Sequence, residues 1–266
     1  MSIKGSSWVS SSHPCAQAQG CSSGPSEAHA DSRALRELFQ RGRLTDLYAA
    51  READAVAATA LALACAAGAG GDRPWLWVRQ ENLTRETGMP YAPGLVEFGL
   101  APENLVLVRA SDARSALQAG LEGARCAALG AVIIELMGET RALDLTASRR
   151  LALAAKQAKT PIFLVRTGAE PQPSAAETRW HIRAAPSRAL PANAPGNPVF
   201  SLTLLRHRGG LQSGAWYLEW NRDRRSFEER TARQILATPL SPTLPGRVAP
   251  LPANRPDHPS AWRKTG

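Results

Sequence analysis

A turn that carries a strand into a helix can hold a nucleotide's phosphates when it supplies three things. Glycines let successive backbone N–H groups curl round an anion, a lysine reaches the β- and γ-phosphates, and a Ser or Thr hydroxyl serves magnesium. The first such turn in this chain lies within Leu44–Val56, where the glycines and the lysine are absent. Asp54, Ala55 and Val56 occupy those positions, and the lysines of the chain are Lys4, Lys156, Lys159 and Lys264, all remote from the turn. Other chemistries lack their residues too. Cys15, Cys21, Cys65 and Cys126 show no C-x-x-C spacing and no neighbouring histidine pair, which argues against zinc and against a disulfide scaffold. His13, His29, His181, His207 and His258 are scattered, and no G-x-S-x-G nucleophile elbow is present. The residues predict no catalytic group, no bound cofactor and no metal.

The elements around that turn alternate. Short apolar runs at Leu44–Tyr48, Trp75–Arg79, Leu105–Arg109, Ala131–Glu135 and Ile162–Val165 read as strands, and Ala53–Ala67, Asp112–Leu129 and Thr146–Ala158 read as helices between them. Such alternation implies a mostly parallel sheet with crossover helices on both faces. Thr146 is the expected N-cap of the last helix, and Thr160-Pro161 stops it. Thr178–Ala184, Val199–Leu205 and Ala215–Trp220 then follow as antiparallel edge strands, the last two joined by the glycine-bearing connection His207–Gly214. Cys65 and Cys126, inside alanine-rich helical patterns, are expected to be buried apolar residues.

Charge is uneven along the 266 residues. Of the formal net charge of +9, residues 221–266 carry eight arginines and one lysine against four acids. A basic segment of this kind attracts polyanions, nucleic acid first, without conferring sequence recognition. Its prolines forbid regular structure, apart from Arg224–Ala237, which could form one amphipathic helix presenting Phe227, Thr231, Ile235 and Leu236. Residues 1–34 are dense in Ser, Gly and Ala without periodic apolar positions, so disorder is expected. Three regions result: a disordered tail 1–34, a folded domain 35–220 and a basic Pro/Arg-rich tail 221–266. The N-terminus has no apolar core of a secretory leader. The apolar run Ala55–Ala67 is shorter than the roughly 20 residues that span a bilayer. A cytoplasmic protein with no membrane partner is expected.

In this order the pieces resemble the core of the RecA-like recombinases, and among these the ImuA family of damage-inducible mutagenesis proteins. The runs that carry the likeness are Gly42–Tyr48, Trp75–Asn82, Tyr91–Leu100, Asn104–Arg109 and Leu129–Glu135, with Leu143–Ala154 and Pro173–Trp180 closest to ImuA. The resemblance implies a degenerate RecA-like α/β core without a Walker A motif. It implies a non-catalytic accessory role in SOS-induced translesion DNA synthesis, as adaptor for an ImuB-type polymerase relative and RecA, beside an error-prone replicative-type polymerase. It also gives Glu135 the place of a Walker B acid and Glu81 that of the acid which orients water, both deprived of a phosphate loop to work with. Two other functions remain open: a cell-division inhibitor like SulA, and an ATP-independent DNA-binding protein.

Residues expected to touch a partner or DNA are Arg149, Arg150, Arg166, Arg179, Arg222, Arg224, Arg225, Phe227, Ile235 and Leu236. Arg79, Arg85 and Arg109, at the C-terminal ends of strands, have two uses open to them: phosphate oxygens, or pairing with Glu81, Glu86 and Glu135. Trp180, Trp216, Tyr217 and Trp220 likewise suit either base stacking or core packing. Gly138–Asp144 and Arg166–Glu177 are the loops that would approach DNA in a recombinase.

Overall fold

A computed structural model describes Leu38 and residues 40–191, 194–210 and 213–237, all within the unit Asp31–Gly266. Among the described residues nine strands make one sheet: β1 Leu44–Ala49, β2 Trp75–Gln80, β3 Leu105–Ala110, β4 Ala131–Met137, β5 Ile162–Thr167, β6 Thr178–Ala185, β7 Val199–His207, β8 Ala215–Asn221 and β9 Ser226–Arg230. Their spatial order is β3-β2-β4-β5-β1-β6-β7-β8-β9, parallel through β6 and antiparallel beyond it. The helices are α1 Ala55–Gly70, α2 Glu81–Thr87, α3 Ala92–Glu97, α4 Ala113–Arg125, α5 Leu145–Ala158 and α6 Ala232–Leu236.

β1, β2 and β5 are buried at every position and β4 at all but its last residue, as strands covered on both faces must be. Period-two alternation sorts their side chains. Val78, Ile134 and Leu164 pack with Ala116, Leu117, Leu151 and Ala154 of α4 and α5. Arg79 and Glu135, one residue along, face the opposite side, where Thr59 of α1 meets Glu135. The segment Glu52–Gly70 is long and apolar enough to cross a bilayer, yet half of its apolar window is buried inside the protein. Ala58, Leu61, Ala62, Ala64 and Cys65 of α1 are fully buried, whereas Val56 is exposed.

The tryptophans of β6 and β8 pack in the core, while Tyr217, on the opposite face of β8, is half-buried. Trp180, Trp216 and Trp220 are at most 2 % exposed, with Trp180 edge-on to Trp216 at 5.4 Å between ring centroids. Asp144, and not Thr146, caps α5, its carboxylate accepting the Ala147 N–H at 2.6 Å. Cys65 is buried and burial pushes its thiol pKa up, but Cys126 is exposed, because α4 ends at Arg125 and Cys126 turns extended.

The folded region runs past the expected boundary at 220. Arg224–Ala237 is not one helix: Ser226–Arg230 pairs antiparallel with β8 as β9, and only Ala232–Leu236 is helical, closed by a capping box between Thr231 and Gln234. An unpaired β8 edge offers ladder hydrogen bonds that an isolated helix lacks, so tertiary context overrides local propensity. The connecting turn is set by Asn221, whose Oδ1 accepts the Arg224 N–H, and by Arg225 at φ 50°. The expected tail 1–34 lies outside the described residues, as does the part of the expected tail 221–266 that follows Ala237.

Candidate functional site

At the C-terminal edge of β1, β2 and β4, where open α/β sheets bind ligands, the phosphate turn is replaced by a closed polar clasp. The chain leaves β1 through Ala50 and Arg51, makes one 3-10 turn at Glu52–Asp54 and enters α1 directly. Two of its amides are already committed: Ala50 N–H donates to the Ile182 carbonyl and Asp54 N–H to that of Arg51, both at 2.9 Å. The Asp54 carboxylate accepts from Arg51 Nε at 2.9 Å and from the Ala184 N–H at 3.0 Å. These bonds hold its pKa below the ordinary 3.8, the Arg51 bond foremost. An anion entering here would meet a carboxylate in place of a cradle of N–H groups.

The Walker B position is occupied as well. The β2–β4 register sets Arg79 opposite Glu135, and Arg79 Nε donates to Glu135 Oε2 at 2.6 Å. Thr59 Oγ1 donates to the other oxygen at 2.6 Å. The remaining Arg79 donors reach the Gly88 carbonyl and Thr87 Oγ1, and its guanidinium lies 4.9 Å over the Trp77 ring. Glu135 thus pairs with an arginine, one of the two uses open to Arg79 from sequence. Arg85 bonds Glu81 at the exposed start of α2, and Arg109 is exposed on β3. The small cavity beside this pair, about 240 Å³, is mainly apolar, with Val56, Leu63 and Met89 in its wall. Among the described residues no group of three or more His, Cys, Asp and Glu is placed to hold a metal ion.

On the other face a second polar group fixes the loops. Asp46 accepts from Ser174 Oγ and from Arg179 Nε at 3.4 Å, while Arg179 Nη2 also donates to Ser174 Oγ at 2.9 Å. Burial raises the Asp46 pKa above its ordinary 3.8 against the opposing pull of Ser174 and Arg179. Arg166, fully buried, lies 5.6 Å from the Tyr48 ring and donates to the Gly138 carbonyl at 3.2 Å. Together with the Ala175 N–H on Ser148 Oγ, these bonds pin the loop between β5 and β6.

The residues expected to meet a partner therefore scatter. Arg149 and Arg179 line a broad groove beside α5; Arg150, its sequence neighbour, is exposed but outside that groove. Arg166 is interior. Arg222 bonds Glu97 and the Gly196 carbonyl, and Arg224 bonds Glu228. Arg225 packs its side chain on Gly99. Phe227 packs on Phe200 and Trp220, and Ile235 is buried, whereas Leu236 is 85 % exposed. Sequence reasoning missed Asp46 and the Arg51–Asp54 clasp; the visible signal was a lone acid, Asp46, inside an otherwise buried strand.

No family model matches the chain. Over 140 residues it is 34% identical to Protein ImuA of Caulobacter vibrioides, in strain NA1000 / CB15N and equally in strain ATCC 19089 / CIP 103742 / CB 15. The match covers 48% of this chain and 55% of that protein, so the chain spans about half the length of the curated relatives it matches. The crystal structure of the RadB recombinase is similar at a TM-score of 0.50 and 18% identity, over 75% of this chain and 97% of that one. That likeness shows the fold alone, a RecA-like α/β sheet. The chain is thus similar in sequence to ImuA over part of its length, and its fold is RecA-like.

Proposed function

We propose that this protein is a non-catalytic accessory factor of SOS-induced translesion DNA synthesis, working in the cytoplasm as an adaptor between an ImuB-type polymerase relative and RecA. The observation that supports the absence of nucleotide chemistry is the occupied Glu135. With one carboxylate oxygen held by Arg79 and the other by Thr59, and with no lysine or hydroxyl in the β1–α1 turn, a magnesium triphosphate finds too few ligands. The similarity to ImuA supports the adaptor role, and a rigid α/β scaffold without turnover suits it.

Two measurements test the reading. Calorimetry of the full chain with magnesium and ATP should show no binding tighter than about 10 µM, roughly −7 kcal/mol; tight magnesium-dependent binding overturns the pseudo-ATPase part. A pull-down should retain an ImuB-type protein on both the full chain and a chain ending at Ala237, which keeps β9 and α6 whole. Failure of both to retain it overturns the adaptor part.

A further inference from the structure

The groove beside α5 encloses about 1,200 Å³ and is lined by eight arginines and lysines and one carboxylate, Glu177; of the eight, Arg179 is buried and paired with Asp46. It is built by elements far apart in sequence. Its floor is one stripe of α5, carrying Leu145, Arg149, Ala152, Leu153 and Lys156 at helical spacing. Its walls are the turn that enters β1, the pinned loop before β6, and the far end of β7. Glu177 is already paired with Arg43 at 2.9 Å, so it offsets little of the surplus. The pinned loop contributes too: Arg206 Nη1 bonds the Ser174 carbonyl, which fixes that arginine at the rim. Arg41 Nε similarly bonds the Lys159 carbonyl. Arg149, Lys156 and Arg208 are exposed, and among the described residues no ion pair holds them.

We propose that this groove binds the phosphodiester backbone of nucleic acid. Like charges gathered on one concave wall raise the local concentration of a polyanion. Arg149 and Lys156 are seven residues apart on α5, about 10 Å of axis, close to the rise of three nucleotides at about 3.4 Å each. No aromatic side chain is among the described lining residues, so bases have no platform to stack on. The contact is therefore with phosphates, indifferent to sequence, and the net charge of +9 favours a polyanion of repeating charge over a short acidic peptide. The inference stands on the groove and not on the adaptor role; loss of oligonucleotide binding would leave retention of the polymerase relative unchanged.

The test is fluorescence anisotropy of the full chain with a labelled oligonucleotide, single-stranded and duplex, across a salt series. The variant is Arg149→Ala/Lys156→Ala/Arg208→Ala, with Arg150→Ala as the control that shares α5 but lies outside the groove. Each lost contact should weaken duplex binding by about eightfold at about 0.1 M salt and flatten the slope of log K against log salt by about 0.9. Arg150→Ala should match the parent, and circular dichroism should show all variants folded. Equal losses in the control and the triple variant, or no change in either, overturn the proposal. So does binding of a poly-glutamate peptide that the triple variant abolishes while oligonucleotide affinity stays at the parental value.

Discussion

Arg79→Ala is the sharpest probe of the occupied Walker B position. The substitution removes an ion pair whose side chains are 5 % and 4 % exposed and leaves Glu135 charged, buried and bonded only to Thr59. It also strips the Gly88 carbonyl and Thr87 of their donors and lifts a cation from the Trp77 face. Breaking one side of a buried pair costs about 3–5 kcal/mol, about a fifth or more of the roughly 5–15 kcal/mol that holds a domain folded. The double substitution Arg79→Met/Glu135→Leu leaves no stranded charge and should cost far less than Arg79→Ala, near zero or even stabilising. Urea unfolding of the full chain, followed by circular dichroism, measures all of these. The exposed pair Arg85–Glu81 supplies the scale for a pair of little worth: Arg85→Ala should change stability by less than about 0.5 kcal/mol. The reasoning fails if Arg79→Ala costs no more than Arg85→Ala, or if the double variant is as damaged as Arg79→Ala.

Asp144→Ala should destabilise by about 1 kcal/mol through loss of the α5 cap, while Thr146→Ala should be nearly silent; thermal melts distinguish the two. Asp46 has a folded pKa above its unfolded one, so between about 3.8 and that higher value the native state binds more protons and its stability falls as pH rises. Asp46→Asn removes this slope, which urea titrations across acid pH read directly; an unchanged slope counts against a raised Asp46. Ending the chain at Asn221 strips β9 from β8 and uncovers Trp220, so that protein should lose stability or aggregate, whereas a chain ending at Ala237 should melt like the parent.

Periodicity and composition by themselves fixed the parallel strands and the long helices, because β1, β2, β4 and β5 are buried runs and α4 and α5 carry apolar faces: such patterns are local properties of the chain. The missing glycines and lysine of the first turn were equally plain, since a phosphate loop is a contiguous motif. What closes that turn was not legible. Arg51 and Asp54 are three residues apart, but Ala184 completes the clasp from β6, and Arg79 reaches Glu135 only through the β2–β4 register. The groove is likewise a tertiary object, since Arg149, Arg206 and Arg41 meet only after the sheet has ordered its strands. β9 shows the same division of labour: Ser226–Arg230 is strand because β8 offers it a partner, a condition no local sequence window contains.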